Sequence, residues 1–283
     1  MKYNLLMTEI INIRLKMEEL ANKGLMEEYK EQKKQLDRLI ALLGFLYLMY
    51  SKEDGLYMTI SEKNREMRKI EKELKEIYKH LSHYEVHNIY NILNKSYKET
   101  YYRVAHLLDS GIVGGIKYKS LNQKAIDGLI KNHEIEELTY SDRVWKNNDL
   151  LIGKLHEDFG QVIYDKKDVR VATEDIKDIF NSSAYQSKRL MHDQLSRILT
   201  SAMLTMYEDT EIVEKVIWMS VLDENTCSDC DILDGTIFDI DESFEEPPLH
   251  VWCRCTLAPY IEYSPIRNIL FEDWLEEKNI NVD

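Results

Sequence analysis

The sequence has almost no proline. All four prolines lie at or after Pro247, so residues 1–246 lack the residue that most strongly interrupts a helix. Apolar side chains recur there at helical spacings of three and four, as at Met67, Ile70 and Leu74. The sequence therefore predicts long helices before the C-terminal region.

A long apolar run is also missing. The longest, from Leu39 to Tyr50, has about 12 residues, whereas a helix needs about 20 to span a bilayer. At the N-terminus, the charge at Glu9 comes before any signal-peptide core could form. We therefore expect a soluble protein, made in the cytoplasm, with no membrane contact.

The common catalytic motifs are absent as well. The sequence contains no nucleophile elbow, Walker loop or zincin helix. We therefore expect a structural protein and not an enzyme. The alternative is a zinc-dependent hydrolase or nuclease built on the carboxylates near the first cysteines. These are Asp223, Glu224, Asp229, Asp231 and Asp234.

Basic residues are scarce at the C-terminus. Residues 201–283 contain 4 Lys and Arg against 20 Asp and Glu, which accounts for the net charge of −14 of the whole chain. A segment this acidic repels a phosphate backbone, which proteins normally bind with Lys and Arg. Any contact with nucleic acid is therefore expected only through the N-terminal helical region.

Cysteine is absent from the chain outside one short stretch. The spacing there is Cys227-x2-Cys230-x19-His250-x2-Cys253-x-Cys255. Two close-set groups of thiols and imidazole are typical of a tetrahedral zinc site, which needs four ligands, so one of the five is spare. The main interpretation is a structural Zn²⁺ site. Free or disulfide-bonded thiols and a catalytic metal remain alternatives, and the choice between Cys253 and Cys255 stays open.

The predicted fold class is α+β and mostly α, with long N-terminal helices followed by a small C-terminal β module stapled by zinc. We predict a helical arm over 1–110, a helical domain over 111–210 and a zinc-binding module with an acidic C-terminal helix over 211–283. The first helix is expected to break or kink near Gly24. A capping box, Thr59 with Glu62, predicts the start of a helix that continues to about Leu108. Thr173 is expected to open a short helix.

A change of periodicity near residue 215 predicts the β module. Three strands are expected, at Lys215–Leu222, Thr236–Phe238 and Thr256–Tyr260. The turn at Asp234-Gly235 precedes the second of them. An apolar stripe that includes Trp274 predicts a final helix that packs on its own domain.

The C-terminal residues carry a resemblance to a known family. The runs Leu222-Asp-Glu-Asn-Thr-Cys-Ser-Asp-Cys230 and Pro247-Pro-Leu-His-Val-Trp-Cys-Arg-Cys-Thr256, with Leu233-Asp-Gly235 and Phe238 between them, resemble the phage Mu F-like head morphogenesis family. Upstream, Tyr140-Ser-Asp-Arg-Val-Trp-Lys-Asn-Asn148 is also similar, so the resemblance covers about residues 140–260.

The resemblance implies a minor head protein of a tailed phage or prophage, made in the bacterial host and present in the virion. It implies a role at the portal in head morphogenesis, DNA packaging or delivery. Expected partners are the portal protein and a scaffold or major capsid protein. The chain departs from the family at His192-Asp193, where members often carry Thr-Glu, and at His250-Val251, where His-Pro is usual.

Overall fold

The computed structural model describes residues 5–52, 55–111, 115–134, 137–221, 226–263 and 267–282. Most of these residues are helical. The helices are α1 (Leu5–Tyr50), α2 (Ile60–Gly111), α3 (Gln123–Lys131), α4 (Tyr140–Tyr164), α5 (Val169–Thr210), α6 (Ser228–Leu233) and α7 (Phe271–Lys278). The strands are β1 (Ser51–Lys52), β2 (Gly55–Leu56), β3 (Lys215–Met219), β4 (Ile237–Asp239) and β5 (Thr256–Pro259). The predicted fold class, mostly α with a small C-terminal antiparallel sheet, is confirmed.

The C-terminal sheet has the strand order β4-β3-β5, with both pairs antiparallel. Ile217 of β3 pairs with Ala258 of β5 on one side and with Ile237 of β4 on the other. All three predicted strands are therefore present, although β3 ends at Met219. Gly235 has φ +79°, so the turn before β4 uses the backbone freedom of glycine.

Helix α2 starts where its capping box predicts, whereas the break predicted in α1 is not found. The capping box is present, since Thr59 N donates to Glu62 Oε2 at 2.8 Å and Glu62 N donates to Thr59 Oγ1 at 3.3 Å. The expected break near Gly24 is wrong, because α1 runs through it. Ala21 and Leu25 are buried on either side, and this packing offsets the roughly 1 kcal/mol that glycine costs in a helix.

Helix α5 also begins earlier than predicted. Asp168 accepts hydrogen bonds from the backbone N–H groups of Arg170 at 2.8 Å and Val171 at 3.4 Å, so it caps the helix. Thr173 lies one turn inside and opens no helix of its own. The helix then continues without interruption to Thr210.

The chain forms two compact units, each assembled from separate stretches of sequence. Unit 1 contains 1–22, 90–133 and 191–283, and unit 2 contains 23–89 and 134–190. The division into a helical arm, a helical domain and a zinc module stays a prediction. Unit 1 contains the sheet and all cysteines, and its largest buried side chains include Trp218, Trp274 and Tyr207.

Unit 2 has an apolar core contributed by four helices. Leu43, Leu74, Leu155 and Ile176 represent α1, α2, α4 and α5 in it.

Among the residues that the structure describes, every helix is too short or too polar to cross a membrane.

A pair of buried carboxyl groups also lies in unit 2. Glu28 of α1 is 2% exposed and Glu85 of α2 is 3% exposed, and the two carboxyl groups lie close enough to influence each other's pKa. Asn88 Nδ2 donates to Glu28 Oε2 at 3.4 Å, and Asn148 Nδ2 donates to Glu85 Oε2 at 3.0 Å. The Ser187 hydroxyl of α5 lies beside both carboxyls and can donate its proton to one of them. A polar layer therefore crosses the four helices.

Candidate metal centre

The first pair of cysteines is placed by the start of α6. Cys227 is the N-cap residue of this helix, and its sulfur accepts a hydrogen bond from Cys230 N at 3.4 Å. Cys230 therefore lies one turn along the helix, with its side chain on the same side as that of Cys227. Cys230 is buried and Cys227 is partly buried.

The second group of candidate ligands lies on a turn before β5. Cys253 N donates to His250 O at 3.1 Å, which closes the turn, and Trp252 within it has φ +67°. The backbone of Trp252 is therefore in the left-handed region, which a bulky residue rarely adopts. Its indole lies against the His192 ring, with centroids 5.2 Å apart.

The two groups come together around Cys230. His250 Nε2 lies 3.1 Å from Cys227 Sγ and 3.2 Å from Cys230 Sγ. Cys230 Sγ lies 3.8 Å from Cys253 Sγ. All five predicted ligands are thus assembled, as two groups of three that share Cys230: Cys227, Cys230 and His250, and Cys230, Cys253 and Cys255, each within 4.8 Å. This cluster can hold a metal ion.

The thiol pKa values differ within the cluster. A hydrogen bond from the Cys255 thiol lowers the pKa of Cys253 to about 5, and the same bond, together with burial, raises the pKa of Cys255. Burial raises the pKa of Cys230 to about 12. The pKa of Cys227 is lowered, chiefly by the hydrogen bond from Cys230 N. Backbone contact with Val251 raises the pKa of His250.

An arginine from the first helix supports the second group. Arg14 is 3% exposed, and its guanidinium donates to Cys255 O at 2.9 Å and Cys253 O at 3.1 Å. It also donates to Ser196 Oγ at 2.7 Å, while Glu18 balances its charge at 3.0 Å. Arg14 of α1 therefore holds the backbone of this turn in place, although it lies 239 residues from Cys253 and 241 residues from Cys255 in sequence.

Ser220 performs a similar task for the first group. It donates to Cys230 O at 2.6 Å and lies 3.3 Å from Cys255 Sγ. Sequence reasoning missed both Arg14 and Ser220. The only signal for Arg14 is its place in the apolar stripe that contains Ile10 and Met17, where a charge is unexpected.

Replacing Arg14 by methionine is expected to loosen the turn without removing a candidate ligand. The substitution removes the Arg14 donor from both carbonyl groups and leaves Cys253 O with only the hydrogen bond from Ser196 Oγ at 3.2 Å, which should cost about 3 kcal/mol of unfolding free energy. Urea unfolding and the rate at which a thiol reagent modifies the cysteines would measure this.

Lys16→Met is the matched control, because it removes the same charge from an exposed position of the same helix. Equal midpoints and equal thiol reactivity for the two variants would show that Arg14 has no supporting role.

The carboxylates that lie near the first cysteines in sequence differ in their surroundings. Asp229 and Asp231 are exposed on α6, and Asp234 Oδ1 accepts from Ser220 N at 2.8 Å. Asp223 and Glu224 lie outside the described residues. The acids with a described position are therefore surface or structural groups, and none of them belongs to the two groups of potential ligands in the described part of the chain.

Comparison with known proteins gives one match. Residues 154–258 match the model of a family described as Phage Mu protein F like protein. No curated protein and no solved structure gives a significant match. The matched stretch runs from within α4 to β5, about a third of the chain, and contains all five candidate ligands. The resemblance inferred from the sequence is therefore confirmed for this stretch, which is a phage Mu F-like segment.

Proposed function

We propose that the chain is a minor head protein of a tailed phage or prophage that acts at the portal in head morphogenesis, DNA packaging or delivery. The family match over residues 154–258 carries this proposal. The assembled ligand cluster lies wholly inside the matched stretch, so the most specific part of the resemblance is also a built structural feature. In this proposal the protein is made in the host cytoplasm and becomes part of the virion.

Unit 2 offers a surface for the portal. Phe45, Leu48 and Met49 of α1 are 50%, 82% and 57% exposed. Their spacing of three and four places them on one face of the helix. Apolar side chains grouped in this way commonly mark a protein contact. The portal is the partner that the family resemblance implies, and a scaffold or major capsid protein is the second.

Co-purification of the full chain with the portal protein from the same phage tests this proposal. The wild type should be retained on tagged portal, and Leu48→Glu should reduce retention at least about tenfold by placing a charge in an apolar contact. Leu150→Glu is the control, since Leu150 is 58% exposed on α4 of the same unit. No retention of the wild type would contradict the portal role.

The full chain is needed because fragments divided near residue 210 would lack their packing partners. Tyr207 donates to Leu257 O at 3.0 Å, and Trp274 Nε1 donates to Asp109 Oδ2 at 2.9 Å. Both contacts lie within unit 1 and join its early and late segments. Such fragments would expose this core.

The ion that fits the cluster best is Zn²⁺. Thiolates and imidazole are its preferred ligands, and two thiolates 2.3 Å from a tetrahedral ion lie about 3.8 Å apart. The Cys230–Cys253 sulfur distance is 3.8 Å. We assign Cys227, Cys230, His250 and Cys253 as the ligands. Cys255, whose sulfur contacts Ser220 Oγ, is assigned as their neighbour.

The zinc in this proposal is structural. Four protein ligands complete a tetrahedral site, whereas a catalytic zinc keeps a position for water. The phage family likewise favours a non-enzymatic role. A zinc-dependent hydrolase or nuclease stays the alternative hypothesis, and two of the carboxylates that it would use, Asp223 and Glu224, lie outside the described residues.

A further inference from the structure

An open groove of about 640 Å³ lies beside the candidate metal centre in unit 1. Asp229 and Ile232 of α6 line one side, and Glu245, Glu246 and Leu249 line another. A second cavity, of about 220 Å³, shares two lining residues with this groove: Arg197 of α5 and Glu246. The two spaces therefore adjoin.

The groove combines apolar and acidic side chains. Ile232 is 76% exposed, and Leu129, which lines the second cavity, is 42% exposed. Three carboxylates, those of Asp229, Glu245 and Glu246, face a single arginine. Arg197 is itself paired with Asp193 at 3.3 Å, so the carboxylates of the groove are not neutralised from within. Its charge therefore complements a basic partner.

Both sides of the groove are tied to the candidate ligands. Asp229 lies between Cys227 and Cys230, and Leu249 directly precedes His250. The ligand atoms of these two segments are 3.1–3.2 Å apart. A groove whose sides are joined in this way is largely formed before binding, which reduces the cost of association.

We propose that this groove docks a basic, amphipathic segment of another protein, in which Lys or Arg side chains flank an apolar strip. This inference rests on the proposed function for the nature of the partner, a component of the phage head, but on the groove alone for its chemistry. The apolar strip contacts Ile232 and Leu249, and the basic side chains pair with Asp229, Glu245 and Glu246.

The probe is a labelled 14-residue peptide of leucine and lysine at helical spacing, titrated with the full chain and followed by fluorescence anisotropy. A peptide of the same composition in scrambled order is the comparison. We expect the amphipathic peptide to bind at least about tenfold more tightly than the scrambled one, because only it presents a continuous apolar strip.

Two variants locate the contact. Glu245→Gln with Glu246→Gln should weaken binding about tenfold, and Ile232→Ser, which changes no charge, about fivefold. Asp241→Asn with Glu242→Gln is the control, because it removes two charges from exposed positions that do not line the groove. Its affinity should stay within about twofold of the wild type.

Equal losses in the two double variants, or no preference for the amphipathic order, would overturn the proposal. A change of oligomeric state in the groove variants, measured by sedimentation, would also overturn it, because the occupant would then be a second copy. The portal test uses α1 of unit 2. If the chain is retained on portal but the groove binds no peptide, only the groove proposal is rejected. If the groove binds the peptide but the chain is not retained on portal, only the portal role is rejected.

Discussion

Replacing Cys230 by serine is expected to remove the bound metal and to unfold the region around the C-terminal sheet. Cys230 belongs to both groups of ligands, so its loss breaks the link between them. Strands of five, three and four residues bury little surface by themselves. Structural zinc contributes about 10–16 kcal/mol of apparent binding free energy in small zinc peptides, so we expect a loss of at least about 3 kcal/mol here.

Metal content and urea unfolding would measure this effect. The wild type should contain one zinc per chain, and a chelator should lower its midpoint to that of Cys230→Ser while leaving the variant unchanged. Asp231→Asn, a neutralised exposed residue of the same helix, is the control and should keep the metal. One zinc per chain in Cys230→Ser would contradict the assignment of this ligand.

The same measurement separates the two remaining cysteines. Cys253→Ser should release zinc, whereas Cys255→Ser should keep it and change only the contacts of residue 255 with Ser220 and Cys253. The opposite pattern would make Cys255 the fourth ligand and would leave the metal site itself intact.

The second large effect is a loss of stability in unit 2 as the pH rises. The pKa of Glu28 is raised to about 7 and the pKa of Glu85 to about 8, and burial is the main cause of both shifts. In the unfolded chain both have ordinary values near 4.5. The folded protein therefore binds more protons between about pH 4.5 and 8, and the contribution of the pair falls as the pH rises through this window.

The surroundings of the pair offer little to hold two negative charges. Asn88, Asn148 and Ser187 donate hydrogen bonds, and the nearby Tyr29 hydroxyl has its pKa raised by burial and by both carboxyls. One oxygen of each carboxyl, Oε1, has no hydrogen-bond partner. We expect an unfolding free energy about 5 kcal/mol lower at pH 8 than at pH 5.5, from pKa shifts of this direction and size.

Glu85→Gln tests this expectation. Glutamine keeps the shape and a hydrogen-bond donor but cannot ionise, so Glu28 no longer faces a like charge. The variant should lose most of the pH dependence and be more stable than the wild type at pH 8. Glu157→Gln, at an exposed site on α4, should keep the wild-type dependence. Parallel curves for wild type and Glu85→Gln would show that the pair does not titrate as described.

The features that the sequence predicts well are those decided by local pattern. Capping at Thr59, the turn at Gly235 and the apolar run of β3 depend on residues close together in sequence. The cysteine spacing belongs to the same class, because two short segments already hold most ligands in place. This is why the assembly of all five candidate ligands in one cluster was predictable.

The features that sequence reasoning missed depend on contacts between distant segments. Nothing near Gly24 indicates that Ala21 and Leu25 are buried and keep α1 continuous. Glu28 and Glu85 are ionisable residues that a sequence pattern places at the surface, and they are buried only because four helices meet there. Arg14 is recognisable as a support of the metal centre only when its partners, Cys253 and Cys255, are placed beside it.

The distance in sequence between Arg14 and those partners also sets an order of events during synthesis. The two ends of this contact leave the ribosome about 240 residues apart, roughly 10–50 s at bacterial and eukaryotic elongation rates. All of unit 2, residues 23–89 and 134–190, is made in between. Unit 2 can therefore fold while the chain is still growing, whereas Arg14 waits for the last segment, and the candidate metal centre is completed only at the end of synthesis.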